Sequence, residues 1–228
     1  MMYLYSLLTI LAFSIAVWIN KRVRSLIFNS FVISLLLLIA FLLISGQPYA
    51  DYYAGNQPLN LLLSPVVVAL ALPLYQQLPQ IKHYWRLILL VIIVASVSAM
   101  ISGTVLALCL GGDLEIMATM LPKSVTTPIA VEIANNVGGV PAVTAVLIVV
   151  AGLTGSILGY PILRLVGVKR SEAIGLAIGS ASHALGTAVC MERDPKAGVY
   201  SSMALVLCGI SSSLLAPLVF KLLVAIVY

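Results

Sequence analysis

Charged residues in this chain are confined to short clusters, and the stretches between them are long enough to cross a bilayer. The uncharged runs are Leu26–Ala50, Tyr52–Ile81, Leu87–Leu110, Ile133–Leu163 and Ala197–Phe220. A spanning helix needs about 20 mainly apolar residues, so each run accommodates one. Hydrophobic residues make up 62% of the 228 and charged residues 8%, which leaves too little polar surface for a soluble domain. Met1–Asn20 is uncharged as well, and its basic cluster Lys21, Arg22 and Arg24 follows the apolar residues instead of preceding them. That order is the reverse of a cleaved signal peptide and reads as a first transmembrane helix. The expected fold is an all-α polytopic bundle of about six full spans forming a single integral membrane domain over residues 1–228, with four spans within 1–110.

The formal net charge is +5, yet the positive residues are scattered between apolar spans, so they report topology and not a nucleic-acid face. Lys21, Arg22 and Arg24 follow the first span, Lys82 and Arg86 the third, and Arg164, Lys169 and Arg170 the span beginning near Pro141. The intervening connections carry Asp51, then Asp113 and Glu115, with no Lys or Arg. The positive-inside rule therefore places the three basic loops in the cytoplasm and the N-terminus outside. Tyr49, Tyr52 and Tyr53 read as an outer aromatic belt, and His83 with Tyr84 and Trp85 as an anchor at the opposite interface.

Two segments depart from the apolar background: Leu121–Asn136 (LPKSVTTPIAVEIANN) and Gly179–Asp194 (GSASHALGTAVCMERD). Polar groups at membrane depth are costly unless they line a cavity or meet partners, which makes these segments the candidate site. On the charge-derived topology, residues 115–140 leave and re-enter on the same side. Pro122, Pro128, Gly138 and Gly139 suit a helical hairpin dipping into the membrane. Residues 171–196 either form a second hairpin, returning Arg193 and Lys196 to the cytoplasm, or span the membrane; charge counting favours the hairpin slightly. A shift of 57 residues lays GLTGSILG (Gly152–Gly159) on GISSSLLA (Gly209–Ala216), so 115–166 and 171–220 form two hairpin-plus-span copies running in opposite directions. Inverted repeats with broken helices meeting near the midplane are a transporter arrangement, although small-residue helices also resemble one another simply because they pack closely.

LPKSVTTPIA (Leu121–Ala130), GGVPA (Gly138–Ala142), ASHALGTA (Ala181–Ala188), SSMALVLCGISSSLLAP (Ser201–Pro217) and NLLLSPVVVALALPLYQQLPQI (Asn60–Ile81) together resemble the LrgB/CidB family of bacterial membrane proteins. The resemblance covers essentially the whole chain. It implies a multi-pass protein of the bacterial plasma membrane and two functional strands. One is antiholin-like regulation of murein hydrolase export and lysis, with a separate small holin-like partner of the LrgA/CidA type. The other is movement of small monocarboxylates such as pyruvate or glycolate, as in the related plastid glycolate/glycerate translocator. Where relatives often carry a basic residue after GTA, this chain has Val189, leaving Lys123 and Arg193 as the nearby cations.

The residues themselves suit a small carboxylate. Lys123 sets an ammonium beside the hydroxyls of Ser124, Thr126 and Thr127 at the start of a half-helix opened by Pro128, whose N-terminus adds backbone donors. The alternative is that Lys123 snorkels and the hydroxyls bond their own backbone. His183, with Ser182 and Thr187, would close the opposite side or carry a proton, or the imidazole is structural. Glu132 is the coupling candidate, and Asn135, Asn136 and Ser180 are expected in the polar cavity. Cys109, Cys190 and Cys208 have no metal-ligand spacing and read as buried free thiols, so neither metal nor cofactor is expected. No H-E-x-x-H, G-x-S-x-G or P-loop occurs, and an enzyme is not expected. Gly152, Gly155 and Gly209 are compatible with self-association or with packing inside one chain.

Overall fold

A computed structural model describes residues 2–23, 30–62, 65, 68–69, 71–76 and 78–227. They contain helices and no strand, and the chain divides into two compact units, Met1–Val68 and Ala69–Tyr228.

The first unit packs α1 (Met2–Val23) against α2 (Ser30–Ser45) and the short helices α3 (Tyr49–Gly55) and α4 (Gln57–Asn60). The Thr9 hydroxyl meets Tyr52 Oη at 2.8 Å and donates to Asn56 Oδ1 at 2.9 Å, while Ser6 Oγ donates to the Gly55 carbonyl at 2.9 Å. Tyr52 thus turns inward from the expected aromatic belt, whereas Tyr49 and Tyr53 stay exposed with ring centroids 6.0 Å apart. At the basic end of α1, the Arg22 guanidinium lies 4.9 Å from the Trp18 ring.

The second unit contains α5 (Ala71–Gln76), α6 (Leu78–Cys109), α7 (Leu114–Met120), α8 (Thr127–Val137), α9 (Pro141–Leu165), α10 (Ser171–Arg193) and α11 (Pro195–Val227). Its pattern is the reverse of a soluble domain. Leu214, Leu218 and Leu222 of α11 point outward, while Ser201, Ser212, Thr104 and Thr144 are buried. Small and hydroxylic residues at helix contacts allow close backbone approach, and the apolar exterior suits lipid. A buried cluster of Met100, Leu121, Val125, Ile133, Ile148 and Ala216 joins α6, α8, α9 and α11.

Five described helices are long and apolar enough to cross a membrane: Leu4–Val23, Tyr84–Cys109, Pro141–Leu165, Ser171–Arg193 and Pro195–Val227. The expected count of about six is not reached among the described residues, because α2 has only 16 residues. The expected span Tyr52–Ile81 lies partly outside the described residues, and its described beginning is the pair of short helices α3 and α4. The His83 side chain also lies outside them. Cys190 and Cys208 are buried as expected, but Cys109, at the end of α6, is exposed.

Although α10 qualifies as a span by length and composition, it is not straight. His183 takes φ 40°, ψ −137°, and the chain reverses there. Glu172, at one end, pairs with Lys196, just past the other, at 2.8 Å, whereas a straight helix of this length would separate its ends by about 35 Å. Gly186 consequently packs against Ile178, and both halves lie against the start of α11. Gly175 and Gly179 from the first half abut the carbonyls of Ala197 and Ser201, a spacing that leaves no room for a Cβ. Thr187 from the second half meets Ser201 Oγ at 2.8 Å.

The first polar segment also reverses. Asp113 caps α7 by accepting from the Ile116 N–H at 2.9 Å, the chain turns over Leu121–Val125, and α8 ends at Gly138 with φ 85°. Thr119 then ties α7 to the start of α9, accepting from the Val140 N–H at 2.8 Å and from the Thr144 hydroxyl at 3.0 Å.

Candidate functional site: a hydroxyl-lined centre between two reversals

The two reversals reach the middles of the long apolar helices. Ser124 and Val125 share a small enclosed cavity with Ser96 and Met100 of α6, Ser180 of α10, and Cys208 and Ser212 of α11. Ser96 lies halfway along Tyr84–Cys109, and Ser212 near the middle of Pro195–Val227. The cavity holds about 10 Å³, room for roughly one water molecule. Its polar lining consists of hydroxyls and one thiol, with no charged group.

Each hydroxyl has a distinct environment. Thr126 occupies the N-cap of α8 in an extended conformation, but its hydroxyl makes no capping bond. Its Oγ1 is buried without a hydrogen-bond partner, whereas Ser96 Oγ is buried with no oxygen or nitrogen partner but within hydrogen-bonding reach of the Cys208 thiol. A buried unpaired hydroxyl costs about 1–3 kcal/mol, so that of Thr126, which follows the cavity-lining Ser124 and Val125 in the chain, requires a reason. Ser180 Oγ is instead satisfied by the Ala177 carbonyl at 3.0 Å, and Thr187 by the His183 carbonyl and Ser201.

Lys123 approaches from the side. Its Cε and Cδ lie where a Cβ on Gly103 would stand, and its Nζ is 3.4 Å from Ser124 Oγ. Lys123 makes no ion pair among the described residues. Thr127 begins α8 with Pro128 in the first turn, so the free N–H groups of that turn sit at the same reversal.

His183 lies at the other reversal, 5% exposed, with Nε2 2.8 Å from the Ile148 carbonyl of α9. Because a carbonyl only accepts, Nε2 carries the proton in this contact. Gly152 leaves the space for the ring and Gly155 the space for Ser182, which explains the two glycines in GLTG as intramolecular packing positions. Glu132, Asn135 and Asn136 are not brought to the cavity. They form an exposed face of α8, with Asn136 Nδ2 3.5 Å from Glu132 Oε1. Sequence marks Cys208 only as a buried thiol and Ser212 only as part of a repeated small-residue helix, and it does not mark Ser96; the signal available for all three is a small polar residue near the middle of an apolar run.

Five candidate spanning helices among the described residues, four of them in a second unit that is apolar outside and polar at its centre, define a multi-pass integral membrane protein. Residues 9–222 match the LrgB-like family, and the chain belongs to it. It is 59% identical over 220 residues to an uncharacterised protein of Haemophilus influenzae, covering 96% of this chain and 95% of that protein. It is 34% identical to the holin-like protein CidB of Staphylococcus epidermidis, covering 95% and 94%, and 31% identical to the antiholin-like protein LrgB of Bacillus cereus, covering 92% of each. No solved structure matches.

Proposed function

We propose that this chain is an antiholin-like membrane subunit that restrains murein hydrolase activity and lysis, acting with a separate small membrane protein of the LrgA/CidA type. Near-full-length similarity to relatives named holin-like and antiholin-like carries this proposal. Deleting the gene should raise murein hydrolase activity and autolysis, and restoring the chain should reverse both. Unchanged lysis in the deletion strain would remove the proposal.

A second function is favoured by a specific observation: a hydroxyl-lined cavity sits where two chain reversals meet the middles of apolar helices, and the Thr126 hydroxyl at the first reversal is buried and unpaired. Irregular backbone at membrane depth is tolerated only inside protein or beside a water-filled cavity, and in carriers it holds the substrate. Here the reversals act as two membrane hairpins of an inverted repeat, and the substrate is a small monocarboxylate such as pyruvate or glycolate. Contacts offset by 57 residues support the repeat. Gly139 against Ala118–Thr119 corresponds within one residue to Ala197 against Gly175, and Gly103 against Met120 to Gly159 against Ile178. Thr126 corresponds to His183 under the same shift, so each reversal has an equivalent tip residue.

In this mechanism Thr126, Ser96 and Ser124 donate to the carboxylate, the first turn of α8 adds backbone donors, and Lys123 supplies the positive field. Seating the anion requires the cavity to widen, which movement of one hairpin against the other helices accomplishes. Proteoliposomes holding the chain, with and without its small partner, should take up labelled pyruvate or glycolate saturably, and Lys123→Ala should abolish uptake. Absence of uptake for either acid in any arrangement rejects the carrier and leaves the regulatory subunit. Thr126→Val should lower uptake about tenfold or more through loss of a donor to a charged ligand, while raising thermal stability by up to about 1 kcal/mol because an unpaired hydroxyl is removed. Equal uptake by Thr126→Val would exclude that hydroxyl from the site.

A further inference from the structure

A second site lies away from the hydroxyl-lined centre, at the basic end of the same unit. Tyr160, Pro161 and Arg164 of α9 face Arg193 and Asp194, where α10 turns into α11, across an open cavity of about 290 Å³. The charges around it are unequally engaged. Glu172 is occupied by Lys196 at 2.8 Å and by Arg170 at 3.6 Å. Asp194 Oδ1 accepts from the N–H groups of Lys196 at 3.0 Å and Ala197 at 3.2 Å, and its carboxyl is held below the usual range first by the Ser171 side chain and then by those backbone donors. Arg164 and Arg193 make no ion pair among the described residues. Arg193 instead stacks its guanidinium 5.1 Å from the Tyr160 ring. The Tyr160 hydroxyl is buried near the Cys190 thiol with no oxygen or nitrogen partner, in a residue only 6% exposed.

We infer that this cavity binds a phosphate group, with the Arg164 and Arg193 guanidiniums as the paired donors. Guanidinium presents a planar fork of N–H groups that matches phosphate oxygens, and stacking on an aromatic ring fixes that fork in place. The cavity is far wider than the hydroxyl-lined one and is open, which suits a group attached to something larger. Basic pockets between membrane helices on the cytoplasmic side are where anionic headgroups bind, and the charge pattern assigns this end to the cytoplasm. The phosphate belongs either to an anionic phospholipid or to a free phosphate in the cytoplasm. Asp194 opposes the ligand least where it is already accepting three hydrogen bonds, and it orients the turn that carries Arg193.

The test uses the full chain in nanodiscs of phosphatidylcholine, alone, with phosphatidylglycerol, or with inorganic phosphate in the buffer. Native mass spectrometry reads retained lipid, and thermal unfolding reads stabilisation. Wild-type protein should retain phosphatidylglycerol and be stabilised by it. Arg164→Gln and Arg193→Gln should each lower retention about fivefold, at about 1 kcal/mol per basic residue near an anionic surface. Lys221→Gln, elsewhere on α11, serves as the control for general charge and should change nothing. Stabilisation by inorganic phosphate alone, lost in the double arginine variant, would keep the site and identify a free phosphate as its ligand. Equal retention and stabilisation in wild type and double variant, with both eluting as folded protein, would overturn the site. Neither outcome bears on uptake or lysis.

Discussion

Gly152→Ala is expected to unseat the second reversal and to destabilise the protein by about 3 kcal/mol, with loss of whatever activity the centre supports. A Cβ at position 152 would meet His183 Nε2 at 2.5 Å, His183 Cε1 at 2.7 Å and Leu185 Cδ1 at 2.9 Å. None of these can simply swing away. The imidazole is held between α9 and the reversal, and moving it breaks the Nε2 contact to Ile148. In an ordinary helix the same substitution is stabilising by about 1 kcal/mol, so the sign of the effect is itself the measurement. Denaturant unfolding of purified protein reads it, and an unfolding midpoint at or above wild type would show that the ring does not occupy this slot. Combining Gly152→Ala with His183→Gly should cost far less than the sum of the two, since the second change removes the group that the first displaces.

His183 carries the second large effect, and it is a choice between two substitutions. Among the described residues, His183 is the one non-glycine with positive φ. An L-residue held there stores about 1–3 kcal/mol of backbone strain, maintained here by burial of the ring and its bond to Ile148. His183→Ala keeps the strain, loses the bond and leaves a cavity, a total of about 3–4 kcal/mol. His183→Gly loses the same contacts but releases the strain, so it should be the more stable of the two by about 1 kcal/mol. The usual order in a helix interior is the opposite, with glycine below alanine. A thermal-unfolding comparison showing alanine above glycine would mean that the chain runs through position 183 as a continuous helix. Both substitutions are expected to impair function, because both free the tip from α9.

The same residues show why parts of the site were visible in advance and others were not. Hydroxyls and a histidine stood out in LPKSVTTPIA and GSASHALGTA because they are rare in lipid-compatible sequence, and both stretches became chain reversals. Glu132, Asn135 and Asn136 were equally conspicuous but occupy the exposed face of α8, since nearness in sequence does not choose which helical face turns inward. Ser96 and Ser212 are inconspicuous for the converse reason. A serine in an apolar helix can satisfy itself against its own backbone, and only a neighbouring element reveals whether it has done so. Cys109 reads as buried from its apolar flanks and is exposed because α6 ends there.

Membrane residence, helical class and the identity of the two unusual segments follow from composition and charge spacing, because a lipid environment penalises every polar residue that lacks a role. Three features depend on elements distant in the chain: the reversal at His183, the pairing of Lys123 with Gly103, and the meeting of Ser96, Ser124, Ser180 and Ser212. Each arises where glycine or serine on one helix admits the turn of another. Such close-packed complementarity is a property of two surfaces together, and neither segment's sequence contains it alone.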